Sequence, residues 1–179
     1  MKKVLLFGVF FALFGMSAFA QEEEAAAEPV TDEELTQYAT VEVMTSLYVE
    51  DKTEELRNMI LNNEVIDGGA RYNEIKAAWG DDAKMAEAEV TEEEKAAYQV
   101  ILDFQNSLQQ SVVDYKTKLI TDSDVISVTV YNKVLAATKE DPAVKEKLDS
   151  MVLEIKEQKD AERAAAKEDG TTEASEDGK

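Results

Sequence analysis

The chain has 179 residues, of which 39 are acidic and 19 basic, for a formal net charge of −20. It contains no cysteine and no histidine. These absences exclude disulfides, zinc sites built from Cys or His, and Ser-His-Asp or Cys-His nucleophilic catalysis, and we expect no cofactor. The negative charge repels nucleic acid and anionic lipid surfaces, so we expect neither as a partner.

The first 20 residues are predicted to be a cleavable signal peptide. Two lysines precede an apolar run over residues 4–14, and the segment ends in the triplet Ala-Phe-Ala. Signal peptidase accepts such a small-x-small triplet, so we place the cut between Ala20 and Gln21. The alternative, an uncleaved membrane anchor, needs about 20 apolar residues, which is more than this run supplies. We therefore expect a periplasmic or secreted protein without stable membrane insertion after cleavage.

The mature chain divides into two low-complexity ends and a repetitive middle. Residues 21–29 form an acidic lead and residues 168–179 an acidic, polar tail, and we expect both to be disordered. Residues 30–89 are predicted to be a first helical repeat. Residues 90–167 are predicted to be a second repeat with an extended last helix.

Equivalent residues recur in order along both repeats, which indicates a tandem duplication. The offset is 60 residues at the start of each repeat, where Val30 corresponds to Val90. The first repeat then has one extra residue before its Tyr-Asn pair. Further matched pairs are Tyr38 with Tyr98, Val41 with Ile101, Met59 with Leu119, Ile66 with Ile126, and Tyr72 with Tyr131.

Each repeat is predicted to contain a long helix, a short helix and a third helix. The segments Thr31-x-x-Glu34 and Thr91-x-x-Glu94 are capping boxes that begin the long helices. Apolar residues follow at steps of three and four, as in an amphipathic helix. The first stripe lapses over residues 50–55, where we expect a continuous helix because no Gly or Pro lies there.

The ends of the shorter helices also carry recognisable signals. Asp67 and Ser127 are predicted N-caps of the two short helices. Gly80 is a predicted left-handed cap after the first of them. Asp82 and Asp141 are predicted N-caps of the third helices, and a proline follows the second of these at its favoured position.

The predicted fold is all-α: a helical bundle from two tandem long-short-short repeats that share one core. Neither repeat has enough surface to bury its own apolar stripes well, so we expect the two long helices to pack antiparallel. Apolar burial contributes roughly 25 cal/mol per Å², so the shared core should dominate stability.

The pattern resembles the domain-of-unknown-function 4168 family over about residues 30–152. The resemblance runs from an acidic capping box through Tyr38-Ala39 and a long helix to Tyr72-Asn73-Glu74-Ile75 and an Asp-capped helix. In the second repeat it rests on Tyr131-Asn132-Lys133-Val134 and Asp141-Pro142. It implies a small helical domain exported by bacteria, and no activity. The chain departs from the family in having Tyr where Phe is common and two copies where one is usual.

A few residues are candidates for contact with another molecule. The recurring Tyr-Asn pairs could line a small polar pocket between the repeats; alternatively, each Tyr packs beside a long helix. The single Trp could be an exposed interface anchor or a half-buried core residue. The candidates are Tyr72, Asn73, Trp79, Tyr131 and Asn132.

No residue is assigned as a metal ligand. The turn Asp122-Ser123-Asp124 supplies the first two ligand positions of a calcium-binding loop, but Ile126 stands at the third and Lys133 at the bidentate position. These aspartates are better explained as turn and cap residues.

The leading functional interpretation is a non-enzymatic module of the cell envelope that binds another envelope protein or acts as a structural spacer. The first alternative is weak cation binding, such as calcium buffering, by the acidic surface. The second is a carboxylate-based enzyme such as a glycan hydrolase, which needs two acids in a cleft, one of them with a raised pKa.

Overall fold

A computed structural model describes residues 29–172, with side chains as far as residue 166. This part of the chain folds into six α-helices and contains no strand, so the all-α prediction is confirmed. The helices are α1 (Asp32–Leu61), α2 (Gly68–Ala78), α3 (Asp82–Glu87), α4 (Glu92–Thr121), α5 (Val128–Glu140) and α6 (Pro142–Thr172). The predicted signal peptide and the acidic lead up to residue 28 lie outside the described residues.

The two long helices begin as the capping boxes predict. The Thr31 hydroxyl accepts a hydrogen bond from the Glu34 amide at 3.2 Å, and the Glu34 carboxylate accepts one from the Thr31 amide at 2.8 Å. Thr91 and Glu94 repeat this arrangement at the start of α4. Helix α1 continues unbroken through residues 50–55, as expected.

Three of the predicted boundaries differ from the structure. Asp67 precedes α2 in a left-handed conformation (φ 53°) and makes no side-chain cap, because an N-cap requires an extended backbone at that residue. Asp81, rather than Asp82, caps α3. Helix α6 extends to Thr172, past the predicted start of the tail at 168, because the Ala-rich sequence before that point favours helix.

The long helices α1 and α4 pack antiparallel. Lys116 of α4 contacts Glu42 of α1, whereas Phe104, earlier in α4, lies beside Lys52, later in α1. Helix α6 lies parallel to α1, since successive ion pairs join Lys147 to Asp32 and Lys156 to Glu50. Helix α1 therefore forms the centre of the bundle, flanked by α4 and α6.

The interior contains two clusters of buried side chains, and each draws on both repeats. Cluster A, at the start of α1, consists of Leu35, Tyr38, Ala39, Val41, Leu119, Ile126, Val134 and Leu148. Cluster B, at the start of α4, consists of Ile66, Tyr72, Ile75, Tyr98 and Ile101. The matched pairs of the sequence repeat occupy matched places, with Ile66 and Ile126, for example, almost fully buried in opposite clusters. The interior is thus shared between the repeats, as predicted, but at two separate positions.

None of the helices described is long and apolar enough to cross a membrane.

Candidate interaction groove

The recurring tyrosines each pack against the long helix of the other repeat. Tyr131 stacks on Tyr38 in cluster A, with ring centroids 4.8 Å apart. Tyr72 contacts Tyr98 in cluster B at 5.4 Å, and its hydroxyl accepts a hydrogen bond from the Gln105 side chain at 3.1 Å. The two Tyr-Asn pairs therefore lie at different ends of the bundle, and the structure does not bring them into one pocket.

The other candidate residues lie nearer the surface. Asn73 and Asn132 are both exposed. Trp79 is half-buried, and its ring packs on Tyr98 with centroids 4.5 Å apart. Tyr38 in cluster A corresponds to Tyr98. No tryptophan covers cluster A, where the long helix α6 contributes Leu148 instead. Trp79 thus covers one end of the bundle in place of a long third helix.

Each capping-box glutamate also joins the two repeats through an ion pair. Arg71 of α2 donates to Glu94 at 2.6 and 2.8 Å, and Lys133 of α5 donates to Glu34 at 2.8 and 2.9 Å. The Arg71 guanidinium lowers the pKa of Glu94 from 4.5 to about 2, against the opposing effect of burial. Lys133 likewise lowers the pKa of Glu34. Glu94 is buried and Glu34 is half-buried, and their basic partners hold both carboxylates charged.

Two positions form an ion pair in one half of the bundle, and the two equivalent positions in the other half are apolar. Lys116 donates to Glu42 at 2.7 Å. Burial opposes the charge of Lys116, but the Glu42 carboxylate raises its pKa overall. The equivalent positions in the other half, 60 residues away in each case, are Leu56 and Leu102, both packed against cluster B. At these equivalent positions, the half of the bundle that contains α2 is therefore the more apolar.

A groove between α1 and α2 opens beside these leucines, with a volume of about 420 Å³. We call it the α1–α2 groove. Its lining residues are Thr53, Leu56, Arg57, Ile60, Leu61, Gly69, Tyr72 and Asn73. Two of them, Tyr72 and Asn73, were candidates from the sequence.

One apolar side chain of the groove lining and one in the turn after α1 face solvent. Leu61 is 48% exposed, and Val65, in the turn that follows α1, is 45% exposed. Sequence reasoning missed both residues as site candidates. The sequence did offer a signal for Leu61. This residue stands one position past the apolar stripe of α1, in a stretch otherwise rich in polar residues.

A second cleft, of about 360 Å³, lies between α1, α4 and α6. Tyr48 and Tyr115 stack within it almost parallel, with centroids 4.2 Å apart. Burial, with Tyr48 and Asp51 nearby, raises the pKa of Tyr115. The two basic side chains at this cleft are already paired, Arg163 with Asp51 and Lys159 with Glu162, so no cation there is available to a ligand without breaking a pair.

The predicted turn residues behave as turn residues. The Asp122 side chain accepts a hydrogen bond from the Asp124 amide at 3.0 Å. Across residues 29–166 no three carboxylates converge in a way that would hold a metal ion.

Comparison with known protein families, curated proteins and solved structures finds no match to this chain. The resemblance to the domain-of-unknown-function 4168 family stays a prediction from the quoted motifs.

Proposed function

We propose that this chain is an exported, non-catalytic module that binds another protein of the cell envelope. The observation that carries the proposal is the α1–α2 groove, which presents Leu56, Ile60 and Leu61 beside polar Arg57 and Asn73. Protein-binding surfaces typically combine an apolar centre with a polar rim. Apolar side chains grouped around a groove mark an interaction site better than apolar residues scattered singly.

The charge around the groove favours a basic partner. Three exposed acidic residues, Glu54, Glu64 and Asp67, lie within three positions in sequence of lining residues. Helix α6 shows within this chain how an amphipathic helix binds to α1, since its lysines pair with acidic residues of α1 while its apolar stripe packs on cluster A. We therefore assign the groove to an amphipathic helix with basic flanks, supplied by the partner.

The perturbed carboxyl groups support a non-catalytic role. Glu34, Glu94 and Glu162 are the carboxyls in the described part of the chain whose pKa departs clearly from its ordinary value, and in all three it is lowered. A glycan hydrolase needs a carboxylic acid whose pKa is raised, so that it can donate a proton near neutral pH. Basic partners lower the pKa of these three carboxyls, so none of the three is suited to donate a proton near neutral pH.

Site-specific photocrosslinking in the producing cell tests the proposal. A photoreactive residue is placed at Leu61, at the edge of the groove, and as a matched control at Leu153, which is 63% exposed on α6. We expect a crosslink to one basic envelope protein from position 61 only, which mass spectrometry identifies.

The purified partner should then bind the wild-type chain more tightly than the Leu61→Asp variant, and more weakly as salt increases. The same products from positions 61 and 153, or equal affinity for the variant, would contradict the proposal.

The alternative proposal, weak calcium buffering, is supported by the net charge of −20. Isothermal titration calorimetry with calcium at physiological salt tests it. Measurable heat at millimolar calcium would favour this function, and its absence would remove it.

A further inference from the structure

Both buried clusters are shared between the repeats. In cluster A, Tyr38 and Val41 of the first repeat meet Ile126 and Val134 of the second. In cluster B, Tyr98 of the second repeat meets residues of α2 from the first. Each repeat therefore has an apolar surface that packs on the other repeat. A second copy of the chain supplies the same partner surface.

The connector between the repeats, residues 80–89, contributes no residue to either cluster, whereas Trp79 and Val90 on either side of it pack on cluster B. Its only helix, α3, has six residues and buries none of them. Two residues of the connector have positive φ, Gly80 at 81° and Glu89 at 51°. Glycine adopts this conformation readily, but glutamate does not, so the backbone at Glu89 is strained in the closed chain.

A single side chain fastens the connector. Arg71 of α2 donates to the carbonyl oxygens of Ala88 at 3.0 Å and Glu89 at 3.3 Å, and it also holds Glu94 at the start of α4. Polar contacts of one residue, rather than a buried apolar face, thus keep the connector folded back on α2.

We propose that the connector is a hinge through which two copies of this chain exchange repeats. In the exchanged dimer, the first repeat of each copy packs on the second repeat of the other, and both clusters are rebuilt with the same contacts. A fully extended connector of ten residues spans roughly 35 Å, which is enough to join two bundles. The balance between monomer and dimer then depends on the connector and on the protein concentration. The proposal is independent of the proposed function, which concerns the α1–α2 groove.

Two substitutions at the hinge are expected to shift this balance in opposite directions. A Cβ at Gly80 meets no atom within 4 Å, so Gly80→Ala disturbs only the left-handed backbone of the closed chain. We expect it to raise the dimerisation constant by about 5-fold to 30-fold for each connector. Glu89→Gly relieves the strain of the closed chain and is expected to lower the constant.

The experiment refolds the full mature chain and both variants from urea at the same high protein concentration. Size-exclusion chromatography with light scattering then measures the dimer fraction. We expect the order Gly80→Ala, wild type, Glu89→Gly, from most to least dimer. A Gly80→Ala chain no more dimeric than wild type, or a Glu89→Gly chain more dimeric than wild type, would overturn the proposal.

Crosslinking distinguishes repeat exchange from ordinary association of two closed chains. The chain has no native cysteine, so Glu50→Cys and Lys156→Cys introduce a unique pair, on α1 and α6, where the native side chains lie 2.9 Å apart. A flexible bismaleimide added to the isolated dimer should link two chains if repeats are exchanged. Links confined within single chains would overturn the proposal.

Discussion

Replacement of Glu94 by Gln isolates the ion pair that joins α2 to α4. The Glu94 carboxylate accepts two hydrogen bonds from Arg71 and one from the Thr91 amide, and the residue is only 8% exposed. Glutamine can still complete the capping box, because its side-chain oxygen accepts from the same amide. The variant therefore removes the charge of this side chain and keeps its shape.

The expected magnitude follows from the pKa of Glu94, which Arg71 lowers from 4.5 to about 2. This difference corresponds to about 3 kcal/mol in the free energy of unfolding at pH 7. Because the folded pKa lies below the unfolded one, the stabilisation is complete above about pH 4.5 and is lost as the pH falls through about 2. We expect wild type to exceed Glu94→Gln by about 3 kcal/mol at pH 7, about 2 at pH 3.5 and less than 1 at pH 2.5.

Urea unfolding followed by far-ultraviolet circular dichroism at these three pH values measures the difference. Glu34→Gln is the matched control, because Glu34 occupies the equivalent capping box and pairs with Lys133, but its side chain is 18% exposed against 11% for Glu94. The control should show the same pH trend with a smaller amplitude. A difference for Glu94→Gln that stays constant from pH 7 to 2.5 would refute the reasoning, since it would point to packing and not to charge.

Three further predictions concern other parts of the molecule. Lys116→Leu should lower the free energy of unfolding by about 1–3 kcal/mol, because it leaves Glu42 without its partner. Adding Glu42→Leu should restore the stability, which thermal denaturation measures. A double variant no more stable than Lys116→Leu would contradict this. Trp79→Ala should cost about 1–3 kcal/mol in urea unfolding, since it uncovers Tyr98, and an unchanged midpoint would count against that role. Amino-terminal sequencing of the exported protein should begin at Gln21, and an intact amino terminus would disprove cleavage.

Local signals in the sequence predicted much of the fold. The capping boxes at Thr31 and Thr91 depend on hydrogen bonds within four residues, so they could be recognised without tertiary information. The cap at Ser127, which accepts from the Val130 amide, is of the same kind. The cap expected at Asp67 is absent because its backbone is left-handed rather than extended, and that conformation depends on the path of the chain.

The candidate site was less predictable because it depends on long-range packing. The apolar stripe of α1 indicates that Leu56 and Ile60 face other helices, but not that α2 leaves a groove open beside them. Similarly, the match between Tyr72 and Tyr131 revealed the repeat without showing that each tyrosine packs on the other repeat's long helix. Contacts between residues of different repeats depend on how the two repeats fold together. The spacing of residues along one repeat does not encode these contacts.

The central claim, that the two repeats fold as one unit around shared clusters, can be tested with the chain's only tryptophan. Trp79 packs on cluster B, whereas Tyr38 lies at the far end of the bundle in cluster A. Tyr38→Ala should destabilise the chain by about 3–5 kcal/mol through loss of buried contacts. If the account is right, urea unfolding followed by Trp79 fluorescence shifts as far as unfolding followed by circular dichroism. A fluorescence transition that stays at the wild-type midpoint while the circular dichroism transition moves would show that the two ends fold separately.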